Sequence, residues 1–87
     1  MSTPTLSIVI STIDKNFEKF VKNFQFGKLQ NADEVIIIVQ GDGKLVHHSE
    51  LASFNVIVEK RYGLSISRNI GIENSSSDFI WFLDDDV

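Results

Sequence analysis

The stretch Phe79-Ile80-Trp81-Phe82-Leu83-Asp84-Asp85-Asp86-Val87 decides the fold class, because an unbroken apolar run leads directly into three carboxylates. Such a run is typical of a strand that is buried on both faces, as in a parallel sheet. Alternate side chains of an extended chain share a face, so Asp84 and Asp86 are predicted to point one way and Asp85 the other. Adjacent carboxylates repel one another unless a cation or hydrogen-bond donors lie among them. The stretch therefore predicts a strand that ends by offering two hard oxygen ligands to a divalent metal.

The rest of the chain alternates apolar strands with helices. Four aromatic or aliphatic residues, Phe17, Phe20, Val21 and Phe24, follow the spacing of one helix face. The predicted strands are Leu6–Ile10, Glu34–Val39, Phe54–Glu59 and the stretch around Ile80, and the predicted helices run from Asn16 to about Lys28 and from Ser65 to about Asn74. The predicted connections are the turns 11–14, 40–43 and 75–78 and the loop 60–64, while 44–53 is open, with a short helix as one alternative. This alternation predicts an α/β fold with a mostly parallel four-stranded sheet flanked by helices.

Polar residues follow three of these strands at their carboxyl ends. They are Thr12, the turn Gln40-Gly41-Asp42, and the run Asp84-Asp85-Asp86. Parallel sheets bind ligands outside the carboxyl ends of their strands, where the strand order reverses. These residues are therefore expected to gather at one edge and form a binding site, although the aspartates alone also fit a cap of the next element or a solvated end.

Size and composition limit the function classes. The 87 residues suffice for a single domain, 1–87, with a modest core. A net charge of −4 without a basic patch argues against a nucleic-acid partner, and the absence of cysteine excludes disulfides and thiolate metal sites. The lead-in Met1–Pro4 lacks the basic region of a signal peptide, and no apolar run is long enough for a transmembrane helix, so we expect a cytoplasmic protein. Because natural domains seldom stop directly after a buried strand, we expect the chain to be the front part of a longer protein.

The second predicted helix departs from local helix rules. Ser65 is its predicted N-cap, which would place Arg68 in the first turn, where the helix dipole disfavours a cation. Gly71 costs about 1 kcal/mol relative to Ala in a helix interior. An anionic ligand near Arg68 would explain the cation in the first turn. A close approach of the backbone at Gly71 to a ligand or strand would explain the glycine in the helix interior. The alternative is a surface ion pair for Arg68 and tight packing at Gly71.

Together these segments resemble the family 2 glycosyltransferases, in order and over almost the whole chain. The most specific parts are the stretch Arg68-Asn69-Ile70-Gly71 and, about a dozen residues later, the Asp-x-Asp motif Asp84-Asp85-Asp86 with the apolar strand before it. The matching segments are Leu6 to Thr12, Glu34 to Val39, Tyr62 to Ile72 and Ser77 to Asp86.

The resemblance implies the GT-A fold, a Rossmann-like sheet that binds a nucleoside-diphosphate sugar, with this chain as its nucleotide-binding half. It implies that Thr12 lines the nucleobase pocket and that Arg68 contacts the nucleotide. It implies further that Asp84 and Asp86 bind the ribose and, through a divalent metal (Mn²⁺ or Mg²⁺), the diphosphate. The catalytic base and the site for a saccharide or lipid acceptor lie further along the chain in this family. The full protein is then expected to be an enzyme, with association with the cytoplasmic face of a membrane left open.

Two departures from the family pattern leave the base identity open, with uridine favoured. The acidic residue that usually follows the second strand is replaced by Gln40-Gly41-Asp42, so Asp42 or the amide of Gln40 is predicted to take its place. The usual aromatic residue after Thr12 is replaced by Ile13.

Several alternatives accompany this interpretation. Trp81 is predicted to lie in the core. His47 and His48 are expected to be solvated, and the loop Lys60-Arg61-Tyr62 is either solvated or a phosphate contact. A receiver-like signalling module would need an acidic pair after the first strand, where this chain has Ser11–Asp14, and a non-catalytic nucleotide-binding remnant stays possible. A truncated sheet also predicts self-association through uncovered apolar surface.

Overall fold

The fold is an all-parallel sheet of four strands with helices on both faces. The structure is a computed structural model that describes residues 3–29, 31–41 and 53–85. Its strands are β1 (Leu6–Ile13), β2 (Glu34–Gln40), β3 (Asn55–Glu59) and β4 (Phe79–Asp84), and its α-helices are α1 (Phe17–Asn23) and α2 (Leu64–Asn74). The strand order is β3-β2-β1-β4, and every neighbouring pair is parallel. The predicted α/β class and the parallel sheet are confirmed.

The two central strands are buried because a separate apolar cluster covers each face of the sheet. On one face, Ile8 and Ile10 of β1 pack with the aromatic stripe of α1. On the other face, Val9 of β1 packs with Ile36 and Ile38 of β2 and with residues of α2 and β4. This two-sided burial explains why β1 and β2 read as nearly continuous apolar runs.

β4 is an edge strand, so the prediction that it is buried on both faces is wrong. Its side chains alternate, with Ile80 and Phe82 packed on the cluster beneath α2. On the opposite face Phe79 is 62% exposed and Trp81 is 56% exposed, which also overturns the core placement of Trp81. The reason is that β4 lies beyond β1 as the last strand of the sheet, where the core cluster on this face is in contact with Leu83 but leaves Phe79 and Trp81 exposed.

The first helix is shorter than predicted, because α1 ends at Asn23 and Phe24 is extended. A short 3₁₀ segment, Phe26–Leu29, follows. In a continuous helix Phe26 would face about 200° away from Phe24, since each residue turns about 100°. Breaking the helix brings both rings together, with centroids 5.1 Å apart, and lets Phe26 reach Phe20 at 5.5 Å.

β1 is longer than predicted and continues through the expected turn 11–14 as far as Ile13. Ladder pairing to β2 on one side and to β4 on the other keeps Ser11 extended, and pairing to β2 keeps Thr12 extended. The predicted turn 40–43 and the open segment 44–53 fall mostly outside the described residues. Within the described ranges, no helix is long and apolar enough to cross a membrane.

α2 begins at Leu64, with Gly63 at the N-cap position, so the predicted N-cap at Ser65 is wrong. Gly63 has φ +135°, a conformation that favours glycine, and its carbonyl accepts the first helical hydrogen bond, from Ser67. Arg68 is consequently the fifth helical residue and lies beyond the first turn, which removes most of the predicted conflict with the helix dipole.

Gly71 permits the close approach of α2 to the sheet. A Cβ placed on Gly71 would lie 2.5 Å from Cγ1 of Val9 in the central strand. Ser67, which is fully buried, is hydrogen-bonded to Ser11 two residues further along the same face of β1. The helix is therefore seated on β1 at two positions, and the glycine is explained by its approach to a strand.

Replacing Gly71 by Ala should destabilise the protein although Ala is the better helix former. The added methyl overlaps Val9, and such overpacking costs about 1–3 kcal/mol against a propensity gain of about 1 kcal/mol. A contact of 2.5 Å is far inside van der Waals distance, so we expect a cost in the upper part of that range, about 2–3 kcal/mol. The net loss in the free energy of unfolding, measured by urea titration, is then about 1–2 kcal/mol. The control is Gly27→Ala, where nothing lies within 4 Å of the added Cβ and the change should stay within about 0.5 kcal/mol. A Gly71→Ala protein as stable as the wild type would contradict this packing.

Candidate functional site

The carboxyl ends of β1 and β4 form the point at which the strand order reverses. β2 and β3 follow on one side of β1, whereas β4 lies on its other side. At this point the hydroxyl of Thr12 donates a hydrogen bond of 2.7 Å to Oδ2 of Asp85. Thr12 is only 3% exposed, so the bond fixes the Asp85 carboxylate at the rim of the sheet. Open α/β sheets bind their ligands at such a reversal.

A cavity of about 330 Å³ opens beside this bond. It lies among the end of β1, the end of β2 and the loop that leads into α2. Its lining residues are Ser11, Thr12, Ile13, Asn16, Gln40, Tyr62, Gly63, Leu64 and Asp85. The volume is at the lower end of the range of about 300–1,000 Å³ for small-molecule sites. We refer to this space as the rim cavity.

Gln40 holds the loop that forms one wall of the rim cavity. Its side chain is 4% exposed, and its Nε2 donates hydrogen bonds to the carbonyls of Arg61 (3.0 Å) and Gly63 (2.8 Å). Both hydrogens of the amide are therefore occupied. The side-chain oxygen of Gln40, Oε1, is the atom left to contact a ligand. The predicted contact of this amide with the nucleobase is therefore limited to accepting a hydrogen bond.

A second contact fixes the same loop at its start. Glu59 Oε1 accepts hydrogen bonds from Arg61, one from the backbone N–H at 3.2 Å and one from Nε at 2.5 Å. The side-chain hydrogen bond with Arg61 is the main cause that lowers the pKa of Glu59, and the same bond raises the pKa of Arg61. Because the Glu59 pKa is depressed in the folded state, the stabilising contact is present above the ordinary pKa and is lost as the pH falls through the lowered one. Arg61 is thus paired with Glu59 through its Nε, and the alternative that the loop contacts phosphate stays a prediction.

Arg68 and Asp84 lie on the same face of the sheet near the rim. The Arg68 guanidinium is 5.4 Å from the ring centroid of Phe82, and Asp84 follows Phe82 by two residues. Asp84 is exposed and pairs in register with Ser11. Within the described ranges no salt bridge joins Arg68 to a carboxylate, so the surface ion pair considered as the alternative is not found there, while its contact with an anionic ligand stays a prediction. The cation–π contact with Phe82 instead holds the Arg68 guanidinium beside the end of β4.

The structure thus brings Thr12, Gln40 and Asp85 together at the rim cavity and leaves Arg68 and Asp84 beside it. Asp42 and Asp86 lie outside the described residues, and the metal pair predicted from Asp84 and Asp86 stays a prediction. Among the residues that are described, no three His, Cys, Asp or Glu side chains group as a metal site. The donors near the end of β4 are carboxylate oxygens, which fit a hard cation such as Mg²⁺ or Mn²⁺ in chemistry.

Two further cavities, of about 330 and 450 Å³, lie at the amino ends of the strands, opposite the rim cavity. Asp33 and Glu34 line both cavities, and internal hydrogen bonds engage one oxygen of each carboxylate. Asp33 Oδ2 accepts from the Leu6 N–H at 2.7 Å, and Glu34 Oε1 accepts from Ser7 at 2.8 Å and from the Ser76 N–H at 3.2 Å. These bonds tie the starts of the strands together, so we assign these ends a structural role.

Comparison with known proteins agrees with the geometry of the carboxyl edge. The model of the family described as "Glycosyl transferase family 2" matches residues 7–87. The chain belongs to this family. The chain is also similar to a Bacillus subtilis (strain 168) protein named "Putative glycosyltransferase EpsH", with 30% identity over 95 aligned residues and 99% of the chain covered. It spans 27% of that protein's length. No solved structure matches the chain significantly.

Family 2 membership confirms the resemblance drawn from the Arg-Asn-x-Gly stretch and the aspartate run. Three features of the site were missed from the sequence, namely the Thr12–Asp85 bond, the two hydrogen bonds of Gln40 to the loop, and the place of Tyr62 and Leu64 in the cavity wall. Only the place of Tyr62 and Leu64 could have been predicted from the sequence, because a loop between a parallel strand and the next helix lies at the carboxyl ends of the strands.

Replacing Gln40 by Met should release the loop without emptying the space of the side chain. Two hydrogen bonds are lost, each contributing about 1 kcal/mol, so we expect the free energy of unfolding in urea to fall by about 2 kcal/mol. The control is Asn74→Ala, which removes an exposed amide bonded to the Ile70 carbonyl and should change stability by less than about 0.5 kcal/mol. Equal midpoints for Gln40→Met and the wild type would show that Gln40 does not hold the loop.

Proposed function

We propose that this chain is the nucleotide-sugar-binding part of a glycosyltransferase, which transfers a sugar from a nucleoside-diphosphate sugar to an acceptor hydroxyl. UDP is the favoured nucleotide, and a saccharide or lipid is the proposed acceptor. The observation that carries the proposal is the rim cavity at the reversal of strand order, in a chain that belongs to glycosyl transferase family 2. Such a position suits a nucleotide because the strand ends leave a crevice there. The crevice offers apolar surface to a base beside the polar side chains of Thr12, Gln40 and Asp85.

The residues at the rim have separate proposed roles in binding a nucleoside-diphosphate donor. Thr12 lies at the cavity, where it is proposed to line the nucleobase site. Asp84, together with Asp86, is proposed to hold a divalent metal, Mn²⁺ or Mg²⁺. When bound, such a cation neutralises the charge that develops on the leaving diphosphate. Arg68, fixed over Phe82 on the same face as Asp84, adds a positive charge on the diphosphate side.

Transfer to a hydroxyl also needs a general base that accepts its proton. No residue of this chain is assigned to that task. We propose that the base and the acceptor site are supplied by other parts of the full protein. Because family membership supports a glycosyltransferase domain, it argues against the receiver-like alternative. Turnover by the full protein would separate an enzyme from a non-catalytic remnant.

Binding of UDP should depend on a divalent metal and on Asp84. In isothermal titration we expect UDP to bind in the presence of Mn²⁺ and to bind at least about tenfold more weakly in its absence. Asp84→Asn should weaken metal-dependent binding by at least about tenfold, because a carboxylate ligand is replaced by a neutral amide.

The matched control is Glu73→Gln, which makes the same charge change on the last turn of α2 and should leave UDP binding unchanged. Tight UDP binding that needs no metal, or equal effects of the Asp84 and Glu73 substitutions, would contradict the proposed roles.

A further inference from the structure

The rim cavity contains a single aromatic residue among its described lining, Tyr62. This side chain is 56% exposed, and Leu64, which is 50% exposed, lies on the same wall. Ile13 contributes apolar surface from the end of β1 but has no aromatic face. A flat, partly apolar ligand group would therefore meet one ring and two aliphatic side chains in this space.

The charges around the cavity favour an uncharged ligand group inside it. Among the described residues that line it, the one charged side chain is Asp85, whose carboxylate would repel phosphate. The nearby cations lie elsewhere, since Arg61 is paired with Glu59 and Arg68 is placed over Phe82. A nucleoside diphosphate would accordingly put its base in the cavity and its diphosphate toward the end of β4.

The backbone on both sides of Tyr62 is held in place. Gln40 binds the carbonyls of Arg61 and Gly63, the two neighbours of Tyr62 in the chain, and Glu59 binds the Arg61 N–H. The N–H of Gly41 in turn donates to the Glu59 carbonyl at 2.8 Å. An exposed ring on an anchored backbone binds with less loss of conformational freedom than one on a free loop.

We propose that Tyr62 is the residue on which the nucleobase of the donor stacks, and that Gln40 is the positioning residue that fixes it. This inference rests on the proposed function and adds a determinant of nucleotide binding from the loop before α2. Stacking on an aromatic side chain recognises the flat face of the base, so it supplies affinity for any nucleobase. Thr12 and Gln40 line the same cavity, and within this proposal the Thr12 hydroxyl and the side-chain oxygen of Gln40 are the groups that distinguish the polar edges of the bases.

The test compares two probes, UDP and inorganic pyrophosphate, each titrated with Mn²⁺ into the wild type and three variants. Tyr62→Ala should weaken UDP binding about tenfold, as expected for the loss of one stacked base, and leave pyrophosphate binding unchanged. Tyr62→Phe should bind UDP as the wild type does, because the ring is kept. Phe79→Ala, which removes another exposed aromatic residue at the far end of β4, should change neither affinity.

The outcomes separate this inference from the proposed function. If the wild type binds UDP with Mn²⁺ and Tyr62→Ala binds it equally well, the role of Tyr62 is overturned while the proposed function stands. If Tyr62→Ala loses UDP and pyrophosphate alike, the side chain acts on the fold or the diphosphate, and the stacking role is again overturned. If the wild type binds no UDP with Mn²⁺, both proposals fail.

Discussion

The parallel pairing of β1 with β4 is the constraint on which the site depends. The ladder aligns Ser11 with Asp84, so the polar end of the central strand and the acidic end of the edge strand meet at one rim. The Thr12–Asp85 hydrogen bond joins residues 73 positions apart in the sequence, and this strand pairing brings them together. With β4 on the other side of β3, the strand order would not reverse beside Thr12, and the crevice would not form there.

The packing of α2 against β1 links the sheet to the charged part of the site. The helix is seated by the contact of Gly71 with Val9 and by the hydrogen bond between Ser67 and Ser11. Arg68 is next to Ser67 in the helix, and its guanidinium lies over Phe82 of β4. Small residues at two positions thus let the helix approach closely, and this approach brings a cation near the end of the edge strand. Ser67 and Gly71 are poorer helix formers than Ala, but the packing of the helix on β1 requires small residues at these positions.

Much of the fold was predictable from the sequence because it follows from local patterns. The four strands and α2 were predicted to within a few residues from apolar runs and from the polar turn residues between them. The edge position of β4 was not predictable from the sequence. A run such as Phe79–Leu83 shows that a strand is apolar, but it does not show which neighbours cover the strand. The end of α1 at Asn23 was also missed, since it is set by contacts among phenylalanine rings rather than by a helix-stop signal. The aspartate run and Arg68 were identified as candidates, whereas the bonds of Gln40 to the loop join residues 21 and 23 positions apart and leave no local trace.

The proposed function places a metal-bound nucleotide at the carboxyl ends of β1 and β4. Paramagnetic broadening of backbone amide NMR signals by Mn²⁺, with UDP present, tests it most directly because the effect falls steeply with distance from the ion. We expect strong broadening at Asp84 and Asp85, weaker broadening at Thr12, and none at the opposite ends of the strands, near Thr5 and Ser76. Broadening centred on those opposite ends, or spread evenly over the surface carboxylates, would contradict it.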